Sequence, residues 1–193
     1  MHSVKARRQY SSPLRQKQAT ETRSRILDAA QKLFADHGYA ATTVEAIAGA
    51  AGVATDTVYA TFRNKAGVLR ELLNVRVAGD DSPRPLLERP GPQGVRAEPT
   101  QKRQLAAFAA DVAQILERAR PVDDIMRSAA AVDPEIASLR KGMQSARWAN
   151  EKELVVWVLA SPEVHGLLRR ERGWSHERYV GWLADTLVRT LIG

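Results

Sequence analysis

The chain contains no cysteine among its 193 residues, which excludes a disulfide framework and any metal site built on thiolates. Its longest apolar run, "LVVWVLA" from Leu154, is far shorter than the roughly 20 residues that a membrane-spanning helix needs. The N-terminus also lacks the apolar core of a signal peptide. These absences favour a soluble cytoplasmic protein.

Signatures of catalysis are absent as well. The four histidines show no HExxH or paired metal spacing, and they are His2, His37, His165 and His176. There is no GxSxG elbow and no glycine-rich phosphate loop after a strand. Adjacent acids such as Asp123 and Asp124 diverge on a helix rather than sharing a site. We therefore expect no enzyme, no cofactor and no metal, and we interpret His165 as a surface or interface histidine.

Positive charge is concentrated at the start of the chain. The formal net charge is +7, and residues 1–25 hold seven basic residues against Glu21 alone, a local charge of +6. Residues 26–77 are balanced, with five basic and five acidic side chains. Residues 1–20 are therefore predicted to be a flexible basic arm that follows DNA phosphates or enters a minor groove. A solubilising leader without a partner is the alternative for the same composition.

Helical periodicity follows directly after the arm. Apolar residues recur at helical spacing up to Gly38, which occupies the place where a helix end favours a left-handed residue. Thr42 or Thr43 can cap a second helix of about two turns. One apolar stripe runs along that second helix, formed by Val44, Ile47, Ala48 and Ala51.

A glycine turn separates the second helix from a third short helix. Gly52 permits a sharp turn, and Val58 and Phe62 lie one turn apart and are predicted to face the core. Two short helices joined in this way indicate a helix-turn-helix. Asn64 is predicted to cap a fourth helix, whose free N–H groups together with Lys65 favour a phosphate.

The third helix exposes small or hydrogen-bonding side chains once its apolar residues face the core. The residues that project together are Thr55, Asp56, Thr57, Tyr59, Ala60 and Thr61. Such groups let a helix reach the floor of a major groove, where hydroxyls bind base edges or phosphates and a methyl group meets thymine. The third helix is thus a candidate for reading DNA.

The stretch from about Arg25 to Leu73 resembles the TetR family of bacterial transcriptional regulators. "ATTVEAIAGAAGVATDTVYATFRNKAGVL" is similar to that family's signature in its Thr-Thr-Val opening, Ile-Ala, Ala-Gly-Val, Thr-x-Tyr, Phe, Asn-Lys and closing leucine. The resemblance implies that Ala54 to Phe62 is the recognition helix. By the same resemblance, the phosphate contacts fall on Thr43, Tyr59, Thr61 and Lys65, and the base-reading positions are Thr55, Asp56, Thr57 and Ala60.

Several positions depart from that family's pattern. Ala54 replaces a common serine, which removes a capping hydroxyl unless Thr55 supplies one. Ala66 and Gly67 stand where acidic residues often follow the lysine, and a glycine inside a helix costs about 1 kcal/mol relative to alanine. Asp56 either accepts a hydrogen bond from a cytosine amino group or only caps and solvates the helix.

The resemblance also implies an all-α fold, with an N-terminal three-helix helix-turn-helix domain and a C-terminal helical domain for ligand binding and dimerisation. We divide the chain into a basic arm (1–20), a DNA-binding domain (21–77), a connection (78–101) and a C-terminal domain (102–193). The connection carries five prolines and three glycines, so it cannot be one helix.

The C-terminal half is predicted to be helical by its periodicity. The stripe that begins at Leu105 is predicted to stop before Pro121. Asp133 and Ser175 are predicted N-caps of later helices, and the Ser-Pro-Glu step at Ser161 is predicted to open another segment. The segment from Leu154 to Leu159 is apolar all round, as expected for a helix that is covered on every side.

The last helix carries a broad stripe that is expected to form a dimer interface. Its members are Tyr179, Trp182, Leu183, Thr186, Leu187 and Thr190, followed by Leu191. An ordinary core-facing stripe is the alternative. The resemblance implies that residues 151–170 and 175–191 pair with their copies in a four-helix bundle. A two-fold dimer presents two recognition helices, so its operator is expected to be palindromic.

A pocket for a small effector is expected in the C-terminal domain. Aromatic and methionine side chains with one polar group suit an apolar ligand, and the candidates are Phe108, Met126, Arg127, Met143, Trp148 and Trp157. Core packing is the alternative for each of them. The segment from Trp157 to the end also resembles family members of high-GC bacteria, relative to which the chain is shorter between about Arg147 and Glu153.

The sequence therefore predicts a cytoplasmic, nucleoid-associated, DNA-binding transcription regulator. In its specific form, the prediction is a homodimeric repressor that a small-molecule effector releases from a palindromic operator. The alternative is a helix-turn-helix module with an architectural or protein-binding role and no effector.

Overall fold

A computed structural model describes residues 13–150 and 154–192 of the chain. Residues 1–12 of the arm, the short stretch 151–153 and the side chain of Trp148 lie outside the described residues. The described part is all-α, as predicted, without a strand. Its elements are α1 (Pro13–Ala41), α2 (Val44–Ala51), α3 (Thr55–Phe62), α4 (Lys65–Ala78), a 3-10 turn (Leu86–Glu88), α5 (Pro90–Ala97), α6 (Gln101–Ala129), α7 (Pro134–Asn150), α8 (Leu154–Leu159), α9 (Pro162–Gly166), a π-helical segment (Leu167–Glu171) and α10 (His176–Leu191). No helix among the described residues has the length and apolarity to cross a membrane.

The first two helices end and begin at residues that local chemistry selects. Gly38 interrupts α1 with φ of 78°, a value that a side chain disfavours. The buried hydroxyl of Thr42 turns back and donates to the carbonyls of Leu33 and Gly38, at 3.2 and 2.8 Å. Thr43 caps α2 by accepting from the N–H of Ala46 at 3.1 Å. Of the two predicted caps, the structure selects Thr43, because the hydroxyl of Thr42 is used inside α1.

The glycine turn between α2 and α3 is confirmed. Gly52 ends α2 in the left-handed conformation, with φ of 64° and ψ of 43°. The two predicted core residues of α3, Val58 and Phe62, are only 1% and 5% exposed. Ala54 is the N-cap of α3 and no side chain caps that end. The expectation that Thr55 supplies the missing hydroxyl is therefore wrong, because Thr55 is already the first helical residue.

The start of α4 explains the glycine that departs from the family's pattern. Asn64 caps the helix as predicted, since its Oδ1 accepts from the N–H of Gly67 at 2.7 Å. A Cβ atom added at Gly67 would collide with the backbone carbonyl oxygen of Phe62. The tight approach of α3 to α4 thus requires a residue without a side chain, whatever its helix propensity.

A single long helix connects the two halves of the chain. The prediction that this helix stops before Pro121 is wrong, because α6 continues through it to Ala129 over 29 residues. Pro121 itself is exposed, so its ring and missing N–H lie on the solvent side of the helix. Its neighbours Ala119 and Val122 are 7% and 0% exposed. Their packing holds the backbone helical across the proline.

Two apolar clusters use different parts of α6. The first contains the buried residues of α1 to α4 together with Val122, Met126 and other residues from the C-terminal half of α6. The second joins Ala109 and Ala113 of the N-terminal half of α6 to α10. The helix-turn-helix therefore packs on one end of α6, and the last helix packs on the other.

The later helices mostly begin where the sequence predicts. The predicted side-chain caps are confirmed at Asp133 and Ser175. Ser161, where a new segment was predicted to open, also caps its helix by accepting from the N–H of Val164. Gly173 has φ of 64° and separates the π-helical segment from α10. Within one copy of the chain, Val158 of α8 is 39% exposed. The expectation that α8 is covered on every side therefore stays a prediction that depends on a second copy.

The proline-rich connection is folded onto the C-terminal half. It contains the 3-10 turn and α5. Arg89 is only 6% exposed, lies 2.7 Å from the carboxylate of Asp80 and donates to the carbonyl of Ser82 at 2.9 Å. Because both of its terminal nitrogens have partners in the connection, this buried arginine fixes the path of the segment.

Candidate nucleic-acid interface and effector cavity

The face of α3 that points away from the core is the candidate nucleic-acid interface. Tyr59 is 45% exposed, which is unusual for a tyrosine and leaves its ring and hydroxyl open to a partner. Asp56, Ala60 and Thr61 are exposed, and Thr55 and Thr57 are half-buried at the edge of the same face. These side chains surround the part of α3 that Val58 and Phe62, which are held in the core, leave accessible.

Two threonine hydroxyls on this surface are oriented by the backbone. Thr61 donates its hydroxyl hydrogen to the carbonyl of Thr57 at 2.7 Å, so its oxygen lone pairs stay available to a donor. The hydroxyl oxygen of the exposed cap Thr43 accepts from the N–H of Ala46, so its hydrogen stays available to an acceptor such as a phosphate oxygen. Of the two, Thr43 is the one suited to donate to a phosphate.

Lys65 is held more tightly than a surface lysine. Its Nζ donates to the carbonyls of Tyr39 and Thr42 at 2.8 and 2.9 Å, and it lies 4.2 Å from the centre of the Tyr39 ring. An ammonium has three donors, so one hydrogen is left after these two bonds. Lys65 therefore joins α1 to α4 and brings a fixed positive charge to the edge of the candidate interface.

Two further hydrogen bonds join the helix-turn-helix to the start of α7. The hydroxyl of Tyr39 donates to Oδ2 of Asp133 at 2.7 Å, and Nδ2 of Asn64 donates to Oε2 of Glu135 at 3.1 Å. The bond from Tyr39 holds the pKa of the Asp133 carboxyl below its usual value. Burial and the same bond raise the pKa of Tyr39 well above that of a free phenol. The four residues joined by these two hydrogen bonds, Tyr39, Asn64, Asp133 and Glu135, form the α7 contact.

Part of the predicted basic arm belongs to the folded domain. Residues 13–20, predicted as arm, form the start of α1. Arg23 lies 2.5 Å from a carboxylate oxygen of Glu71 in α4 and 5.3 Å from the centre of the Phe62 ring. Its charge is therefore partly neutralised, whereas Lys17 is exposed beside Glu21 at 3.9 Å. The basic residues Lys5, Arg7 and Arg8 lie outside the described residues.

A cavity of about 620 Å³ follows one face of α6 in the C-terminal half. Leu73 and Val77 of α4 line one side, and Met143 and Arg140 of α7 line another. The 3-10 turn, α5, α9 and the π-helical segment complete the wall. A cavity of this size with largely apolar walls is typical of sites for small molecules.

Four of the six predicted ligand residues line this cavity: Phe108, Met126, Arg127 and Met143. Trp157 does not occur among the described residues of the wall, whereas Arg147, which donates to the carbonyl of Trp157 and lies 5.2 Å from its ring, does. The side chain of Trp148 lies outside the described residues. Met126 is 0% exposed and belongs to the first apolar cluster, so it forms both core and cavity wall.

Ion pairs occupy the end of the cavity nearest α7. Asp123 contacts both Arg127 and Arg140 at 2.9 Å. Asp124 contacts Arg170 at 2.8 Å. Charged groups with partners this close are satisfied within the chain and need no ligand.

The interpretation of His165 as a surface or interface histidine is wrong. It is 1% exposed, its ring meets that of Tyr179 edge-on at 4.9 Å, and its Nε2 lies 3.2 Å from Oε2 of Glu117 without the alignment of a hydrogen bond. Burial lowers the pKa of His165 to about 4, although the carboxylate of Glu117 acts in the opposite direction. The ring is therefore neutral at pH 7 and contributes to the wall of the cavity.

The predicted dimer stripe of α10 divides into two sets. Tyr179, Leu183 and Leu187 are 0% exposed and form the second apolar cluster with α6. No surface of these three is left for a second copy, and they take the core role that periodicity allowed. The remaining predicted members keep accessible surface: Trp182 and Thr186 are half-buried and Thr190 is exposed.

The sequence analysis did not identify residues of the proline-rich connection (78–101) as part of the cavity wall. Leu86, Leu87 and Val95 line the cavity although they lie in a proline-rich segment that composition marks as a linker. Asp111, an acid on the stripe side of α6, was missed too. The available signal was the pair of adjacent leucines between prolines, which a solvated linker does not need.

The arrangement of α2, the glycine turn and α3 on the supporting helices α1 and α4 defines a helix-turn-helix domain. A search of protein families agrees, since residues 26–72 match the family described as bacterial regulatory proteins, tetR family. The chain carries the N-terminal domain of the TetR family, which confirms the recognition made from the sequence. This family consists of transcription regulators rather than enzymes.

Curated relatives match over the same domain. The uncharacterized HTH-type transcriptional regulator YvkB of Bacillus subtilis (strain 168) is 45% identical over 53 residues, which cover 28% of this chain and 28% of YvkB. The chain therefore aligns with little more than a quarter of this relative's length. The similarity to YvkB therefore supports the assignment of the DNA-binding domain alone.

Solved structures share the fold over most of the chain. NalD of Pseudomonas aeruginosa, the secondary repressor of the MexAB-OprM multidrug efflux pump, is 23% identical with a TM-score of 0.60, covering 88% of this chain and 95% of NalD. The SmeT–triclosan complex is 21% identical with a TM-score of 0.58, covering 88% of this chain and 90% of SmeT. These likenesses establish the N-terminal helix-turn-helix and helical C-terminal domain as the fold.

Proposed function

We propose that the chain is a sequence-specific transcription regulator, a homodimeric repressor that leaves a palindromic operator when a small molecule occupies the α6 cavity. The observation that carries this proposal is the solvent-facing polar surface of α3 on a helix-turn-helix whose supporting helix α4 lines a 620 Å³ cavity. NalD is a repressor, and the SmeT structure holds triclosan, which makes both parts of the proposal reasonable for this fold. A cytoplasmic, nucleoid-associated location belongs to the same proposal.

In the proposed complex, α3 enters the major groove. Thr55, Asp56, Thr57 and Ala60 lie toward the base edges, and the hydroxyl of Tyr59 binds a phosphate beside them. The remaining hydrogen of the Lys65 ammonium and the hydroxyl of Thr43 complete the backbone contacts. Basic residues before Pro13 supply most of the salt-dependent affinity, because residues 26–77 are neutral overall.

The proposed dimer uses the accessible parts of the last helices. Trp182, Thr186 and Thr190 of α10 provide the surface, together with the exposed Val158 of α8. The buried members of the α10 stripe support this surface from below. A two-fold pair would present two copies of α3 to successive major grooves.

The contacts within one chain provide a route from the cavity to α3. Leu73 and Val77 of α4 line the cavity, and Lys65 at the opposite end of α4 borders the interface. Arg140 of α7 also lines it, and α7 begins at the α7 contact with Tyr39 and Asn64. A ligand that separates α4 from α7 would therefore move the helix-turn-helix, and DNA and ligand would weaken each other's binding equally.

Selection of bound sequences from a random duplex pool tests the DNA-reading part. Wild type is expected to enrich a palindrome. Tyr59→Phe should weaken binding to all selected sequences by about tenfold, because it removes a phosphate contact, whereas Thr57→Ala should relax the preference at one base of each half-site. Ala106→Ser, an exposed position in the half of α6 that packs against α10, serves as the control.

The outcomes separate the two functions considered. Enrichment of a palindrome supports a dimeric reader. An absence of enrichment at moderate salt would contradict it and favour the architectural or protein-binding module. The cavity itself speaks against that alternative, since a purely architectural protein needs no unfilled apolar volume.

Removal of residues 1–12 tests the arm. The shortened chain should bind DNA more weakly, and its affinity should depend less steeply on salt because fewer counterions are released. An unchanged salt slope would show that the arm does not contact phosphates.

A further inference from the structure

The charged groups that line the α6 cavity fall into two sets. At the α7 end, Asp123 and Asp124 are each within 3 Å of an arginine. At the α5 end stands Asp111, and within residues 13–150 and 154–192 no hydrogen bond or ion pair reaches its carboxylate. Four acids line the cavity, and the fourth, Glu163, is exposed to solvent. Among the described acids of the wall that are not exposed, Asp111 is thus without a partner, whereas Asp123 and Asp124 are paired.

Asp111 lies among apolar side chains. Its neighbours on the same face of α6 are Phe108, Val112 and Ile115, and all of them line the cavity. It also borders a smaller adjoining cavity of about 240 Å³. Burial raises the pKa of the Asp111 carboxyl, and the charge of Arg118 only partly opposes this effect. The surroundings therefore disfavour the negative charge that an aspartate carries at pH 7.

The nearest arginine is committed to the backbone. Arg118 donates from Nε to the carbonyl of Arg76 at 3.3 Å and from Nη2 to the carbonyl of Val77 at 3.2 Å. These bonds satisfy carbonyls in the last turn of α4, which have no partner within the helix. Turning Arg118 toward Asp111 would remove both, so the guanidinium is not a spare partner.

The second arginine of the smaller cavity is committed as well. Arg89 binds Asp80 and the carbonyl of Ser82. It fixes the course of the connection and is 6% exposed. Neither arginine near Asp111 is therefore free to pair with it.

The fold also makes room for this carboxylate. A Cβ atom added at Gly91 of α5 would collide with the side-chain oxygen of Asp111. A glycine in the first turn of a helix carries an entropic cost. Asp111 thus requires a glycine opposite it and is partly desolvated, which costs free energy, yet its carboxylate forms no hydrogen bond or ion pair with the described part of the chain. Such an arrangement is typical of a group that binds a ligand.

We propose that the α6 cavity selects amphipathic cations, whose apolar body fills the space along α6 and whose ammonium or amidinium group pairs with Asp111. This inference deepens the proposed function and rests on it only for the statement that occupancy releases DNA. The cationic head group of the ligand would pair with the carboxylate of Asp111, which neither Arg118 nor Arg89 does. A ligand headed by a carboxylate would meet Asp111 as a like charge and would find the arginines at the other end already bonded.

Three probes with one decyl chain and different head groups test the proposal: decylammonium, decanol and decanoate. Each is titrated into the full-length protein by calorimetry at pH 7 and below its micelle concentration. Wild type should bind decylammonium most tightly and decanoate least. Asp111→Asn should weaken decylammonium binding by about tenfold or more, because the charge pair is lost, and should leave decanol within about threefold.

Two measurements guard against a trivial loss of binding. Asp111→Asn should unfold at the same temperature as wild type or higher, because a desolvated charge is removed and no bond is broken. Asp36→Asn makes the same change of charge on the exposed surface of α1 and should alter none of the three affinities. A lower affinity for decanol in Asp111→Asn would mean that the cavity itself has changed, and would overturn the proposal.

The proposal is overturned if wild type binds decanoate as tightly as decylammonium, if no probe binds, or if Asp111→Asn keeps the same order of affinities. Release of DNA is followed separately, by fluorescence anisotropy of a duplex from the selection. Cation binding that depends on Asp111 without release of DNA would support the site and contradict only its role as an effector site.

Discussion

The two halves of the molecule fill their interiors differently. Around α1 to α4, large side chains such as Ile26, Ile47, Leu69 and Leu72 are completely buried, and none of these four borders the cavity. In the C-terminal half, the second cluster is small and a cavity of about 620 Å³ lies beside it. The first half is built to hold α3 in one orientation. The second keeps apolar surface unfilled, so its conformation can respond to whatever fills the space.

The largest expected effect tests this difference in packing. Leu69→Ala should lower the free energy of unfolding by about 3 to 4 kcal/mol, because Leu69 is 0% exposed and its removal leaves a void in the first apolar cluster. Met143→Ala, in the cavity wall and 38% exposed, should cost about 1 kcal/mol or less. Denaturant titration measures both. Equal losses would contradict the contrast between the two interiors.

The next effect concerns pH and the wall of the cavity. The folded-state pKa of His165 is about 4, below the 6.5 of a free imidazole, so between these values the unfolded chain binds more protons and stability falls as pH falls. Wild type should lose about 2 kcal/mol more than His165→Gln between pH 7 and pH 5. His37→Gln, at an exposed site, is the control and should follow wild type. Parallel pH profiles for wild type and His165→Gln would refute a buried neutral histidine.

The third prediction tests how closely α3 packs against α4. Gly67→Ala should destabilise the protein by about 1 to 2 kcal/mol, because the new Cβ collides with the carbonyl oxygen of Phe62. Helix propensity alone predicts a gain of about 1 kcal/mol, so the two explanations differ in sign. Gly49→Ala in α2, where a Cβ meets nothing within 4 Å, is the matched control and should stabilise. Thermal unfolding of both variants distinguishes the explanations.

The smallest expected effect concerns the α7 contact. Tyr39→Phe removes the hydrogen bond to Asp133 and should cost about 1 kcal/mol of stability. Its stronger consequence should be a reduced coupling between cavity and interface, seen as a smaller loss of DNA affinity when the best-binding decyl probe is present. Phe34→Leu, a core change beside Tyr39 that keeps this hydrogen bond, should leave the coupling intact. Full coupling in Tyr39→Phe would exclude the hydrogen bond between Tyr39 and Asp133 as the route.

The features predicted correctly from the sequence are those that neighbouring residues decide. The cap at Asn64, the turn at Gly52 and the inward faces of Val58 and Phe62 depend on bonds and periodicity within a few positions. The DNA-contact roles of the α3 residues stay predictions that rest on the resemblance. The TetR family itself was recognisable because its signature lies in this local part of the chain.

The features missed from the sequence depend on distant partners. Pro121 stays inside a helix because remote residues pack beside it, and His165 is buried because α6 and α10 enclose it. The cavity joins residues more than 90 positions apart, from Leu73 to Arg170. No periodicity in one segment indicates such an assembly, so only part of the ligand set could be predicted.

The shared helix α6 has a consequence for dissecting the protein. Its 29 residues extend about 44 Å and supply Val122, Ile125 and Met126 to the apolar cluster of the DNA-binding half. A fragment cut within the connection would therefore leave the helix-turn-helix with an uncovered apolar face. Exchange of sensor halves between such proteins would need a junction within α6, so that each transplanted DNA-binding unit keeps the helical end on which it was packed.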